Sequence, residues 1–453
     1  MRVGSNRRPS NLFYQTGNKR PPVDRAEGIH IWAEDGRRWI DGSSGAMVVN
    51  IGHGNAYVLD AMKRQMDRAT FAYRLHFENE PAEELARRLC DLMPAEFDRV
   101  FFVSGGSEAV ESAMKLARQY AVATGQAGRY KVVSRYPSYH GCTLGALAVT
   151  GYAALAAPFA PMMQPMPKIP APTAYRDRDG LSMEERGFRY ADMLEAAIKA
   201  EGPETVLAFL MEPVGGASTG ALVAPDSYYG RVREICDRYG VLLIHDEVMS
   251  GAGRTGKFLG GDHWPDGRPD IVALSKGLGS GYCPLGATVA PDRIVAPVLA
   301  AGGFLHGFTY AGNPLAGAAG LAVLEEMERH DMMGNAARMG DLLMARLEAL
   351  KARFPFIGDV RGKGLLLAAE MVADAGTMEP LPARLNAYQR IVDIAYDKGL
   401  IIYSRRTRGG YEGDHFLVCP PMIITEQQVD ELMAILTESL EQLAAELHLP
   451  VGG

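Results

Sequence analysis

The chain has little cysteine: Cys90, Cys142, Cys236, Cys283 and Cys419 are the only five among 453 residues, and no two form a CxxC spacing. An odd, widely spaced set argues against a disulfide framework or a structural zinc and predicts a reducing compartment, the cytoplasm. An excess of positive charge is also missing. With a net charge of -7 there is no electrostatic footprint for nucleic acid, so the pairs Arg7/Arg8, Arg37/Arg38 and Arg87/Arg88 are expected on solvated faces. No apolar run follows the basic N-terminus MRVGSNRRPSNLFYQTGNKR, which therefore does not read as a secretory signal. HExxH does not occur, no metal is expected, and SGGSEA misses the GxSxG pattern because Ala109 stands where the last glycine would be.

Charge itself is absent from Gly141 to Pro167. Pro158, Pro161, Pro165 and Pro167 interrupt that stretch, which a single membrane span would tolerate poorly. No membrane contact is expected, and the segment reads instead as a buried connection beside a ligand.

What is present points to an α/β protein. At this length one core is too few, since cores stop growing near roughly 250 to 300 residues. The middle of the chain alternates short apolar runs (RVFFV, KVVSR, VLAFLMEP, VLLIHDEV, DIVALSKG) with helical patterns such as SGGSEAVESAMKLARQYAVA, where Ala109, Val110, Ala113, Leu116 and Ala117 recur at helical spacing. That alternation predicts a mainly parallel sheet covered on both faces, with ligands beyond the carboxyl ends of its strands. A large domain is expected over residues 56–329, and a smaller one from both chain ends, 1–55 and 330–453. Within the smaller part, WAEDGRRWIDG reads as a hairpin around Asp35-Gly36, GKGLLLAAEMV and LIIYS as strands, and a last amphipathic helix begins at Glu426.

Two residues carry the chemistry. Lys276 ends the apolar run in DIVALSKGLGSG, and Asp246 ends the strand VLLIHDEV thirty positions upstream. A lysine is a Schiff-base nucleophile only when burial or a neighbouring cation lowers its pKa, and a carboxylate on a nearby strand end suits a cationic ring nitrogen. Together they suggest pyridoxal 5'-phosphate, although the pair alone is equally compatible with ordinary strand-to-loop positions. Gly105, Gly106 and Ser107 open a helix after a strand, where free N–H groups and the helix dipole attract an anion; a plain N-cap would look the same. In SYHG, Tyr139 offers a ring to stack on a cofactor plane, with His140 beside it and Val248 facing from the other side. Glu212 in EPVGG reaches the same sheet edge, and Thr309 supplies a hydroxyl in the turn HGFTYAGNP. GAGRTG (Gly251 to Gly256) has the GxGxxG letters but is not followed by a helical pattern, so the dinucleotide-binding context fails.

DGSSG...NIGHG, SGGSEAVESAMKLAR, YHG, EPV, DEVMSGAGRTGKF, PDIVALSKGLGSGYCPLGA, GFTYAGNP and PPMIIT jointly resemble the class III, fold-type I pyridoxal-phosphate aminotransferases of the omega-amino acid and amine:pyruvate kind. The resemblance implies a seven-stranded, mostly parallel sheet between helices plus a small α+β domain. It further implies Lys276 as the Schiff-base lysine, Asp246 as the pyridinium partner, Gly106 and Ser107 at the phosphate, Tyr139 on the ring and Val248 behind it. Thr309 would reach the phosphate of a neighbouring subunit, making the active unit a homodimer that could pair into a tetramer. The substrates would be an amine or amino acid donor and a keto acid acceptor, pyruvate or 2-oxoglutarate. This chain departs from many such proteins in having Ala46 and Met47 after DGxxG and a longer YSRRTRGGYEGDH. Arg405, Arg406 or Arg408 would bind the substrate carboxylate, from a glycine-flanked loop free to swing. An aminomutase or a decarboxylase of the same fold shares these motifs, and a nicotinamide-dependent oxidoreductase is a remote alternative.

Overall fold

The computed structural model describes residues 11–13 and 20–452; the Arg7/Arg8 pair and most of the basic N-terminal stretch lie outside them. Its centre is a seven-stranded sheet with spatial order Arg99–Val103, Gly286–Ala290, Ile271–Leu274, Leu242–Asp246, Val206–Met211, Lys131–Tyr136 and Lys168–Pro170. The strand Gly286–Ala290 runs antiparallel to both neighbours and the remaining pairings are parallel. Because Arg99–Val103 therefore runs with the parallel set, the segments that follow residues 103, 136, 211, 246 and 274 all emerge at one edge. The candidate residues at the helix start after residue 103, in SYHG, and at Glu212, Asp246 and Lys276 follow those strand ends.

The inner strands Gly286–Ala290, Ile271–Leu274 and Val206–Met211 are buried along their whole length because both faces are covered. The helix Gly106–Ala123 packs Ala109, Val110, Ala113 and Leu116 against Val132, Leu207, Leu210 and Ile244. On the other face Tyr190, Leu194, Tyr228, Val232 and Ile235, from helices Met183–Glu201 and Ser227–Tyr239, meet Val133, Phe209 and Leu243. Burying one such aliphatic or aromatic side chain contributes about 1.5–3 kcal/mol, so this double layer is the rigid platform under the site.

Two further sheets lie outside the central one. In the first, Val23–Glu27, His30–Ala33 and Arg38–Asp41 form an antiparallel meander with the turn at Asp35-Gly36, as the hairpin reading expects, and Leu400–Ile401 runs parallel to Ile40 and Asp41. In the second the order is Ile357–Lys363, Leu366–Asp374, Glu412–Val418, Tyr403–Arg408, with Glu379–Pro380 pairing to Leu366–Asp374. The helix Glu426–Leu447 starts where expected, because the Thr425 side chain and Gln428 form a capping box.

Four local expectations are corrected. GKGLLLAAEMV is not one strand, since a turn at Gly364, with φ +53, reverses the chain between Lys363 and Leu366. LIIYS is split, Leu400–Ile401 joining the N-terminal sheet and Tyr403 starting a strand of the other. Gly141–Pro167 is buried only in its first part: Leu144–Val149 forms a helix with four buried residues, whereas residues 153–166 lie at the surface, with Leu155, Phe159 and Met162 exposed. Small alanines and the prolines Pro158 and Pro161 hold this part in short helical turns that bury little. Arg405, Arg406 and Arg408 are not in a mobile loop; they belong to the strand Tyr403–Arg408, which pairs with Glu412–Val418 across the turn at Gly409-Gly410. No described helix is long and apolar enough to cross a membrane. Of the other basic pairs, Arg37, Arg38 and Arg87 sit on exposed ion pairs with Asp35, Glu431, Glu84 and Asp91, and Arg88 on a less exposed one with Glu328.

Candidate active site

At the sheet edge three loops interlock through glycines. A methyl group on Gly106 would come within 2.7 Å of Val248 Cγ1, and one on Gly141, whose φ is +134, within 2.6 Å of Ser107 Oγ. Only glycine permits these approaches, so the segments 105–107, 138–141 and 246–248 are held as one cradle. Ser107 Oγ accepts the Cys142 N–H at 3.0 Å, and its own proton has only a weak contact with Cys142 Sγ at 3.7 Å. The first N–H groups of the helix Gly106–Ala123 and this hydroxyl remain as donors for an anion.

Asp246 is 5% exposed. Its Oδ2 pairs with His140 Nδ1 at 2.8 Å, and Oδ1 accepts the Val248 N–H at 3.0 Å. An ionised carboxylate can accept about four hydrogen bonds, so capacity remains for a further donor. Near it lies a buried group: Glu212 accepts the Gly216 N–H at 2.9 Å, Arg135 Nη2 donates to the Glu212 carbonyl at 2.5 Å and stands 3.9 Å from Glu212 Oε2, and neither Glu212 Oε2 nor His140 Nε2 makes a hydrogen bond among the described residues. Burial pushes the Glu212 carboxyl up, against the pull of His140 and Arg135.

Lys276 follows the strand Ile271–Leu274 in a left-handed conformation, φ +45, as does Ser280 four residues on. A non-glycine residue there costs on the order of 1–3 kcal/mol and is held by its surroundings. The packing around the amine lowers its pKa; Asp246, Glu212 and the Cys419 thiol oppose that shift and Arg254 adds to it. The lysine is thereby biased toward the neutral, nucleophilic form.

Tyr139 stands at the rim, 39% exposed, with its hydroxyl pKa raised by burial of the remainder. Thr309 lies in an exposed turn that His306 anchors to the helix through Ser112 at 2.8 Å and Lys115 at 2.9 Å. Thr309 makes no hydrogen bond with the Lys276–Asp246 group among the described residues. The three arginines separate by strand alternation. Arg406 Nε is tied to the buried Asp414 at 2.7 Å and Arg408 Nη2 to the Met378 carbonyl at 3.0 Å, whereas Arg405 lies on the other face, donates to Tyr403 Oη at 2.5 Å, and acts electrostatically on Tyr139.

Sequence reasoning passed over Arg254 and Asn50. The first was seen only as a letter of a failed GxGxxG pattern and the second only as part of NIGHG, yet Arg254 is 0% exposed and Asn50 1%, and the two are bonded at 2.6 Å. The GAGRTG segment forms turns followed by a short 3-10 turn, Gly260–His263, with no helix behind it, in keeping with its rejection as a dinucleotide loop.

The family described as aminotransferase class-III matches residues 14–440. The putrescine–pyruvate aminotransferase of Pseudomonas aeruginosa is 33% identical over 93% of this chain and 91% of its own. The taurine–pyruvate aminotransferase of Bilophila wadsworthia is 35% identical over 90% of each chain. The omega transaminase of Pseudomonas jessenii, solved in complex with PMP, superposes with a TM-score of 0.88 at 31% identity, covering 94% of this chain and 93% of that one. With a sheet of the same kind and a lysine and a carboxylate facing one cradle, this chain belongs to the class III aminotransferases, enzymes that use pyridoxal phosphate to move an amino group from an amine donor to a keto acid.

Proposed function

We propose that the donor is a primary amine or omega-amino acid, that the acceptor is pyruvate or 2-oxoglutarate, and that Lys276 and Asp246 are the catalytic pair. The observation that carries this reading is the placement of the strained, pKa-lowered Lys276 beside a buried carboxylate with unused acceptor capacity. Pyridoxal phosphate, when bound, supplies the electron sink that acidifies the C–H bond next to the substrate nitrogen. Lys276 would hold the cofactor through its amine and would carry the proton from and to the substrate carbon, a role typically contributing about 10² to 10⁴ in rate. Asp246 would hold the ring nitrogen, and His140, paired with Asp246 Oδ2 at 2.8 Å, fixes the orientation of that carboxylate. Glu212 supports His140 from below. Gly106 and Ser107 would hold the phosphate, and Tyr139 and Val248 would hold the ring between them.

Arg405 is the arginine we assign to the substrate carboxylate. Its lack of a carboxylate partner among the described residues and its position beside Tyr139 support it, and the contacts of Arg406 and Arg408 argue against those two. Being on a strand, it adapts to carboxylate-free amines by side-chain rotation rather than by loop movement. Thr309 completes the phosphate site of a second copy. The exposed apolar residues Leu75, Leu305 and Tyr310, at 81%, 78% and 66%, support a homodimer at this surface, within a cytoplasmic enzyme whose large domain spans 56–329. Two relatives are named for putrescine and taurine as donors with pyruvate as acceptor, which favours pyruvate here. Borohydride reduction of the purified protein should fix the cofactor to the Lys276 peptide, and a panel of amine donors against the two keto acids should give turnover with pyruvate. Fixation at another lysine would reject the assignment.

A further inference from the structure

Arg254 is among the largest fully buried side chains of the protein. A buried guanidinium is ordinarily matched by a carboxylate. This one is not, among the described residues. Nη1 donates to the carbonyls of Pro420 at 2.6 Å, Leu365 at 3.3 Å and Cys419 at 3.5 Å, and Nη2 donates to Asn50 Oδ1 at 2.6 Å and Ser44 Oγ at 3.1 Å. Nε is buried without a hydrogen-bond partner among the described residues. The acid that acts on it from a distance, Asp41, is already taken by His53 Nε2 at 2.9 Å and the Gly45 N–H at 2.9 Å. Five neutral oxygens from three distant stretches thus solvate the cation without cancelling it, and burial pulls its pKa down to about 10.

From Arg254 a short path leads to the catalytic turn. Asn50, gripped through Oδ1, donates Nδ2 to the Ala252 carbonyl at 2.8 Å and lies so close to Gly277 that any side chain there would collide with it. The next residue, Ile51, donates its N–H to Ser280 Oγ at 3.0 Å. Residues 50 and 51 therefore brace both sides of the Lys276–Ser280 turn, whose two ends have the left-handed backbone. We propose that Arg254 is a positioning residue for Lys276: through Asn50 it fixes the turn that carries the amine, and its unbalanced charge disfavours a second cation at that amine.

Asp246, Glu212 and the Cys419 thiol all favour a protonated Lys276, and burial and Arg254 oppose them. Two carboxylates so near would leave the lysine cationic and non-nucleophilic unless something offset them, and a cation is the direct means. A carboxylate partner for Arg254 would remove the effect, which accounts for a site solvated by carbonyls.

The inference rests on Lys276 as the reacting lysine, and its test is separable from that reading. The full-length protein, freed of cofactor, is treated with an amine-modifying reagent across a pH series, and modification of the Lys276 peptide is followed by mass spectrometry. Arg254→Gln removes the charge, Arg254→Lys keeps it but loses the fork, and Asn50→Asp supplies an isosteric counter-ion. The midpoint is expected to rise by about one pH unit in Arg254→Gln and Asn50→Asp and to stay near the parent in Arg254→Lys. A merely structural role would lower thermal stability in these variants and leave the midpoint where it was; midpoints in Arg254→Gln and Asn50→Asp that coincide with the parent's overturn the proposal. If Arg254→Gln does not fold, Asn50→Asp decides alone. Borohydride mapping on the parent reports the reading of Lys276 independently.

Discussion

On the floor of the site Asp246, His140, Glu212 and Arg254 are each at most 5% exposed, and other parts of the same chain hold them. On the rim, Tyr139 and Tyr310 are 39% and 66% exposed and Thr309 stands in an open turn. The floor carries charges that must keep fixed mutual positions through a proton transfer, and burial in a rigid double layer supplies that. The rim must admit a cofactor and two substrates in turn, so its groups are left to be completed by what binds and, on the homodimer proposed above, by a second copy. Substitutions on the floor should accordingly change chemistry with cofactor retained, and substitutions on the rim should change affinity or substrate choice.

The largest effect is expected for Lys276→Ala: amino transfer should fall by at least about 10², and borohydride should no longer fix the cofactor. Full turnover in this variant would place the reacting amine outside the floor. Asp246→Asn should retain the cofactor but slow a single turnover with donor amine by about tenfold or more, since each tenfold corresponds to about 1.36 kcal/mol and an amide provides no negative charge. An unchanged single-turnover rate would remove the floor's electrostatic role.

The arginines test the boundary between the two regions. Arg406→Ala leaves the buried Asp414 without its 2.7 Å partner, and the loss should appear as stability, about 3–5 kcal/mol in chemical denaturation. Arg405→Ala should instead lower kcat/KM for a keto acid by about tenfold, roughly 1.4 kcal/mol, with little change for a simple amine. Equal behaviour of the two variants would erase the distinction drawn from strand alternation. For the rim, the proposal that Thr309 completes the phosphate site of a second copy predicts that dissociation to monomer weakens pyridoxal phosphate binding by about tenfold or more, measured by equilibrium titration. A monomer of undiminished affinity would show that one chain completes its own rim.

A last test concerns the floor's response to acid and leaves turnover aside. His245 is buried with neither ring nitrogen bonded among the described residues, and burial, aided by Arg135 and Arg233, holds its pKa down at about 3 against the usual 6.5. The unfolded chain accepts a proton that the folded one refuses, so the stability contributed by neutral His245 is full above about pH 6.5 and is lost as pH falls toward 3. His245→Leu should remove up to about 1.4 kcal/mol per pH unit from the slope of unfolding free energy in that window. An unaltered slope would mean that the ring is protonated in the folded state.

Much of the floor was legible in the sequence because its residues follow strands whose apolar runs are unmistakable. Asp246 and Lys276 could be placed at one sheet edge from pattern alone, and Gly106, Ser107 and Val248 join them through close approaches that require glycine. The rest was not legible, for identifiable reasons. Strand and loop compete in YSRRTRGG, since three arginines in six residues look solvated until Glu412–Val418 pairs with them and Asp414 neutralises one. Residues 153–166 look buried by composition, yet prolines keep them in short turns at the surface.

By itself the sequence determined the α/β alternation, the strand ends that carry Asp246 and Lys276, and the family, because these depend on local periodicity and on motifs read within single segments. Only the tertiary structure decided which arginine faces Tyr139, that His140 reaches Asp246 and not the surface, and that Arg254 is buried against Ser44, Asn50, Leu365, Cys419 and Pro420. These facts depend on oxygens brought together from stretches more than a hundred residues apart. A residue's neighbours across such distances are fixed by how sheets and helices pack, and no local pattern in the chain encodes them.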